Sequence, residues 1–160
     1  MPLLCHLHQL EKDPVSLHEE LSVTELQLDG IDELIRVVEP ITCHLQAQLL
    51  DRSILVKGDI QLKLECECAR CLKSFQKRLE LSDWTCLLSL EGEEKVEMAG
   101  DCVDLTPWAR EDILLALPQH PLCGPECPGL ALTSQNEVRQ AVDDRNQSPS
   151  AWAELNKLKL

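Results

Sequence analysis

The sequence predicts an α+β fold: an antiparallel β-sheet or partly closed barrel, a helix at about 106–117 and a short C-terminal helix. The main observation is a run at 54–66 in which apolar and polar residues alternate. Alternation with a period of two is typical of a strand with one buried face. A second alternating stretch begins at Phe75, and a Thr-Pro pair at 106–107 is typical of a helix start.

Shorter segments precede the main run. The apolar-rich stretch at 3–10 is a candidate edge strand, and 14–32 alternates loosely. The pattern at 31–38 fits either a helical turn or a loop. Residues 42–50 are expected to form a strand, and a tight turn at 51–53 would connect it to the alternating run.

The two alternating stretches meet at 67–74, which predicts a β-hairpin with Cys68 and Cys71 at its tip. Gly58 interrupts the apolar side of the first strand. A glycine inside a strand often marks a β-bulge, so we expect one there. The second strand is expected to continue as far as Leu90.

An acidic, glycine-containing loop is expected at 91–100, before the helix. In that helix Thr106 is expected to cap the free N–H groups, Pro107 to take the first helical position, and Pro118 to stop the helix. We therefore divide the chain into a single domain at 1–132 and a polar linker with a C-terminal helix at 133–160.

The overall charge limits the choice of partner. Fifteen basic residues stand against 28 acidic ones, for a net charge of −13. Such a chain repels a phosphate backbone, so naked nucleic acid is a poor default partner and a basic protein fits better. Aromatic residues, which stack on single strands in many small sheet proteins, make up only 2 %.

The cysteines and the N-terminus predict a cytoplasmic location. Nine cysteines are an odd number and fall below the density of a disulfide scaffold. The first residues show no basic start followed by an apolar run, and no stretch resembles a membrane span. We therefore expect reduced thiols and no contact with a membrane.

Two cysteine pairs predict a metal site. Cys68 and Cys71 are separated by two residues in the manner of many zinc ligands, and Cys123 and Cys127 form a second, wider pair in a Pro- and Gly-rich segment. Four thiolates from two turns can bind a structural zinc ion in a closed tetrahedron. The alternative is four reduced thiols or an adventitious disulfide.

The densest basic stretch lies beside the first pair. It consists of Arg70, Lys73, Lys77 and Arg78. One interpretation is a contact with RNA phosphate or an acidic partner. The other, which we favour, is that these side chains offset the −2 charge of a four-thiolate zinc site and solvate a strand face.

The remaining candidate groups predict no catalytic site. Cys43, Cys66 and Cys86 are expected to be small buried residues, whereas Cys5 and Cys102 are left open. The histidines form no grouping with carboxylates or cysteines, although His120 could replace a cysteine ligand. The sequence has no phosphate-binding glycine loop, serine elbow or paired-histidine zinc motif, so we expect no enzyme and no small-molecule substrate.

Four segments in order resemble the YceD family, the large ribosomal RNA subunit accumulation proteins. They are the Cys-Ala-Arg-Cys-Leu segment at 68–72, a helix ending in Leu-Pro at 111–118, the C-x3-C segment with Gly-Leu at 121–130, and a C-terminal Ser-Pro helix with a basic end at 148–159. Two positions depart from the family pattern. Ala131 stands where members often have another cysteine, and Ser148-Pro149-Ser150 replaces an Asn-Pro-Phe core.

The resemblance implies a non-enzymatic bacterial protein needed for the synthesis, processing or stability of large-subunit (23S) ribosomal RNA. With the acidic charge, it suggests binding to a basic ribosomal protein or to a large-subunit rRNA precursor particle. The alternative is a cysteine-based redox-responsive or zinc-stabilised adaptor for protein interactions. A metal-dependent hydrolase is disfavoured because four thiolates leave no coordination position for water.

Overall fold

The computed structural model describes residues 2–130, and the first compact unit of the chain extends to Cys127. The described part forms strands and helices in the following order: β1 (Leu4–His6), α1 (Leu7–Leu10), β2 (Val15–Leu21), β3 (Ile35–Val37), β4 (Ile41–Leu50), β5 (Ser53–Glu67), β6 (Ser74–Ser89), β7 (Met98–Ala99), β8 (Cys102–Asp104) and α2 (Thr106–Ala116).

The strand β5 is the centre of the larger, five-stranded sheet. Along one edge it pairs first with β4, from Ser53 to Gln61, and then with β3, from Leu64 to Cys66. Along the other edge β6 pairs with β5 over its full length, and β2 extends the sheet beyond β4. All of these pairings are antiparallel. The strands β1, β8 and β7 form a separate antiparallel sheet.

The apolar residues that alternate along β5 face inward, as the sequence predicts. Its inward-facing apolar residues are all buried: Ile54, Val56, Ile60, Leu62, Leu64 and Cys66. They belong to one core that also includes Val103 of the small sheet and Ile113 of α2. The core therefore lies on the inward face of the large sheet.

The predicted hairpin is confirmed, with β5 ending at Glu67 and β6 beginning at Ser74. The predicted bulge is confirmed as well, because the register between β5 and β6 shifts between Gly58 and Ile60. A Cβ atom on Gly58 would lie 2.0 Å from the carbonyl oxygen of His44, and the glycine φ is +154°. Only glycine lets β4 and β5 approach this closely.

Three polar contacts hold α2. The indole Nε1 of Trp84 on β6 donates a hydrogen bond to Asp112 Oδ2 at 2.6 Å, and Arg110 Nε donates to the carbonyl oxygen of Leu26 at 2.9 Å. The N–H of Leu3 donates to Thr106 Oγ1 at 2.9 Å. The helix that precedes the second cysteine pair is thereby fixed against both sheets and the segment before β3.

The predicted cap of α2 was wrong. Thr106 is already helical and buried, and its hydroxyl binds Leu3 instead of the helix end. The N-cap residue is Leu105, and just before it Asp104 Oδ1 accepts the N–H of Thr106 at 2.9 Å. The helix ends at Ala116, one residue before the predicted end.

Other elements differ in detail from the expectation. The candidate edge strand at 3–10 is a short strand followed by one helical turn, and 31–38 contains β3. The two sheets are open, so the barrel is not confirmed, and the structure agrees with the coarser class of antiparallel sheets with few helices. The predicted linker and helix at 133–160 lie outside the described residues. No helix within 2–130 is long and apolar enough to cross a membrane.

We expect Gly58→Ala to lower the free energy of unfolding by roughly 2–4 kcal/mol, because the new Cβ must push β4 away from β5. Gly92→Ala is the matched control. Gly92 also has a positive φ, of +92°, but a Cβ there meets no atom within 4 Å. The Gly92→Ala substitution should lower the free energy of unfolding by only about 1 kcal/mol. Urea unfolding of both variants measures the difference, and equal losses would show that close approach at Gly58 does not matter.

Candidate metal centre

The first half of the site is the tip of the β5–β6 hairpin. The N–H of Cys68 donates to the carbonyl oxygen of Lys73 at 2.9 Å, and the N–H of Leu72 donates to Cys68 at 2.8 Å. Leu72 adopts a φ of +60°, which closes the turn in the left-handed conformation. This tight turn directs the Cys68 and Cys71 side chains to one side of the hairpin tip.

The second half is the segment that follows α2. Pro118 and the residues after it cannot continue the helix, and the chain returns to the hairpin tip at Pro121. There the N–H of Ala69 donates to the carbonyl oxygen of Pro121 at 2.8 Å. The N–H of Cys127 donates to Gly124 at 3.3 Å and turns the segment back. One backbone hydrogen bond thus ties the two cysteine-bearing segments together.

The structure brings all four predicted cysteines together. Their sulfur atoms lie within 4.8 Å of one another. Cys68 Sγ is 3.7 Å from Cys127 Sγ, and Cys71 Sγ is 3.7 Å from Cys123 Sγ. Zn–S bonds of about 2.3 Å at tetrahedral angles place neighbouring sulfurs about 3.8 Å apart. The spacing is compatible with a zinc ion.

The electrostatics of the four thiols favour a cation. Backbone N–H groups of Cys123 and Cys71 lower the pKa of Cys68 to about 6, because they hydrogen-bond its thiolate. The pKa of Cys123 is raised to about 12, since the sulfurs of Cys127, Cys71 and Cys68 stabilise its protonated form. Without a cation the cluster accommodates one negative charge readily and further charges poorly. A divalent ion removes that conflict.

The cysteines that were predicted to be buried lie outside the cluster. Cys43 and Cys66 are buried, as predicted, whereas Cys86 is only half-buried. Burial, followed by the charge of Glu19, raises the pKa of Cys43 to about 11. What separates Cys43 from the clustered cysteines is its position in the hydrophobic core, away from other thiols.

The predicted basic residues do not form one face. Arg70, Lys73, Lys77 and Arg78 are all exposed. Lys77 is paired with Leu64 and Arg78 with Lys63, so these two neighbours lie on opposite faces of the sheet. The lysine lies near enough to Cys66 to lower that thiol's pKa, against the larger effect of burial.

A model of the family described as large ribosomal RNA subunit accumulation protein YceD matches residues 56–159. The match covers more than half of the chain, including both cysteine pairs. This chain belongs to the YceD family.

Relatives extend the similarity to the N-terminal strands. The chain is 24 % identical to the uncharacterized protein YlbN of Bacillus subtilis (strain 168), over 95 % of this chain and 92 % of that protein. It is 28 % identical to the uncharacterized proteins Rv2926c of Mycobacterium tuberculosis (strain H37Rv) and Mb2951c of Mycobacterium bovis. Those two matches cover 69 % of this chain and 58 % of the mycobacterial proteins. No solved structure matches the chain.

Two histidine groupings between strands were missed by the sequence reasoning, as was the contact of His8 with Glu11 at 3.9 Å. Cys102 Sγ lies 3.0 Å from His6 Nδ1, so the expectation that no histidine meets a cysteine was wrong. His18 and His44 contact each other across β2 and β4. Each pair joins strands whose register the sequence does not reveal. His6 and Cys102 are, in addition, 96 residues apart in the chain. His120 is an exposed loop residue and is not part of the cysteine cluster.

We expect reduced, metal-free protein to bind about one Zn²⁺ per chain, and the amide exchange of Ala69 to slow when it does, because the ion locks the hairpin tip onto Pro121. Cys123→Ser should weaken zinc binding by roughly tenfold or more. Cys102→Ser removes a half-buried cysteine outside the cluster. It should change neither the affinity for zinc nor the slowing of Ala69 amide exchange. Calorimetry and amide hydrogen exchange measure them, and identical behaviour of the two variants would contradict the assignment.

Proposed function

We propose that this protein is a non-enzymatic ribosome-biogenesis factor that supports the synthesis, processing or stability of large-subunit (23S) rRNA through binding. The observation that carries the proposal is the YceD family match at 56–159, whose description names large ribosomal RNA subunit accumulation. The four-cysteine cluster lies inside that match.

We further propose that Cys68, Cys71, Cys123 and Cys127 bind one structural zinc ion. Four protein ligands fill a tetrahedral site and leave no position for a reacting water. The ion would hold the hairpin tip and the segment after α2 in one arrangement. This supports a role in shaping a surface, and it counts against metal-assisted hydrolysis.

The partner that fits best is a basic ribosomal protein, alone or within a large-subunit rRNA precursor particle. The net charge of −13 favours association with a basic protein and opposes contact with bare RNA. Exposed carboxylates concentrate in two loops of the described part: Asp29, Asp32 and Glu33 before β3, and Glu91, Glu93, Glu94 and Glu97 before β7. Both loops are available to a cationic surface.

The exposed basic residues of the hairpin would serve mainly to offset the charge of the zinc site. Arg70 and Lys73 lie in the turn that carries two of the ligands, where they offset the −2 charge of a four-thiolate zinc site. Lys77 and Arg78 lie on opposite sheet faces, so they do not form one continuous phosphate-binding surface. If RNA is touched directly, Arg70 and Lys73 are the residues in position to do so.

A redox-responsive adaptor is the second candidate function. The 3.7 Å contacts join Cys68 to Cys127 and Cys71 to Cys123, each across the two segments. Bonded sulfurs are about 2.05 Å apart, so an oxidised pair would have to close by more than an ångström and would remove two zinc ligands. Oxidation and zinc binding are therefore competing states of the same cluster.

Deleting the gene in its bacterial host should lower mature 23S rRNA and raise its precursors, with small-subunit rRNA as the internal reference. The wild-type gene and Cys102→Ser should restore the ratio, whereas Cys68→Ser and Cys127→Ser should not. Immunoblotting must show comparable protein levels, because loss of zinc can also cause degradation.

Unchanged precursor and mature levels in the deletion strain would refute the biogenesis role. Full rescue by both ligand variants would refute only the need for the metal site.

A further inference from the structure

A pair of histidines lies on the outward face of the large sheet, away from the cysteine cluster. His18 of β2 and His44 of β4 are directly opposed in the strand register. Their Nδ1 atoms are 2.8 Å apart, and their ring centroids are 5.0 Å apart with an interplanar angle of 61°. Both side chains are exposed, so ions can reach them from solvent.

The backbone beneath the pair is fixed by the close approach of β4 and β5 at Gly58. Gly58 of β5 is paired with Leu45 and lies against the backbone of His44, where any Cβ would clash. The continuous register of β4 on β5 pairs Asp59 with His44, and Asp59 Oδ1 accepts the N–H of Asp83 on β6 at 3.1 Å. The histidine pair therefore lies on a rigid part of the sheet.

A groove of about 540 Å³ opens over the pair. Asp59 and Asp83 contribute two carboxylates to its wall, against one cation, Lys57. Glu20 lies two residues beyond His18 on the same strand face. These charges make the groove attractive to a cation.

The geometry points to a second metal site, in which His18 and His44 chelate a late divalent transition-metal ion such as Ni²⁺ or Cu²⁺. Imidazole nitrogens bind such ions at about 2.0–2.1 Å. Two ligands at a right angle are then about 2.9 Å apart, and two at the tetrahedral angle about 3.4 Å. The observed 2.8 Å matches the right angle of square-planar or octahedral coordination, which Ni²⁺ and Cu²⁺ favour over Zn²⁺.

Binding requires a change of tautomer and a turn of the rings, because the two Nδ1 atoms are hydrogen-bonded to each other in the metal-free pair. In the hydrogen-bonded pair one Nδ1 carries the proton and the other accepts it. On chelation that proton moves to Nε2 of the same ring, so both Nδ1 lone pairs face the ion and the proton count of the neutral pair is unchanged. Two protein ligands leave the other coordination positions to water or to a group from another molecule.

The site differs in kind from the cysteine cluster. The cluster offers four soft thiolates and no open position, whereas the histidine pair offers two imidazoles and several open positions. The first suits a permanent structural ion, and the second suits an exchangeable one. The two should therefore be separable by the choice of metal.

Ni²⁺ added to the zinc-loaded full-length protein tests the assignment without oxidising its thiols. Among the five histidines, substoichiometric Ni²⁺ should broaden the ¹⁵N-imidazole NMR signals of His18 and His44 first. Calorimetry should give about one Ni²⁺ per chain. His18→Gln and His44→Gln should each weaken binding by roughly tenfold or more. His120→Gln, at an exposed loop position, is the matched control and should leave it unchanged.

Broadening centred on His6 or spread over all five histidines would overturn the assignment. Release of zinc in step with Ni²⁺ uptake would do so as well, because it would place the ion in the cysteine cluster. Unaltered amide spectra of the glutamine variants establish that a loss of binding comes from the missing imidazole.

Discussion

The convergence of four sulfur atoms from two distant segments is the constraint that determines how the hairpin tip and the segment after α2 are arranged. The contacting pairs are 59 and 52 residues apart in the chain. Closing a loop of that length costs about 3.5 kcal/mol by the logarithmic estimate. Zinc binding to four such ligands contributes on the order of 10–16 kcal/mol in small zinc domains. The ion can therefore offset the ordering of both segments, to which the backbone hydrogen bond from Ala69 to Pro121 contributes only about 1 kcal/mol.

The rest of the fold places the two segments where an ion can join them. The long pairing of β5 with β6 positions the hairpin tip, and Trp84 of β6 holds Asp112 of α2. The end of that helix delivers Pro121 and the second cysteine pair to the tip. The core thus sets the approach of the segments, and the cysteine cluster sets their final geometry.

Much of this arrangement could be predicted from local patterns. The alternation at 54–66 gave the strand, its buried face and the bulge at Gly58, because side-chain period and glycine geometry are local properties. The Cys68 and Cys71 spacing indicated a ligand pair for the same reason. The cap of α2 was harder, since Asp104 and Thr106 are both good capping residues and only the contact with Leu3 decides between them.

Features that depend on strand register could not be predicted. The contact of His6 with Cys102 requires the pairing of β1 with β8, and the contact of His18 with His44 requires the register of β2 on β4. Each is fixed by packing between segments that share no local signal. Closure of the sheet into a barrel was equally undetermined, because alternation specifies a buried face but not the number or curvature of the strands.

Zinc K-edge X-ray absorption on protein purified without chelator tests the central claim most directly. A closed four-thiolate site predicts a first shell of four sulfurs at about 2.3 Å and no lighter ligand. A shell with nitrogen or oxygen at about 2.0 Å would contradict it, because it would mean that histidine, carboxylate or water completes the site. Protein without zinc would contradict it as well.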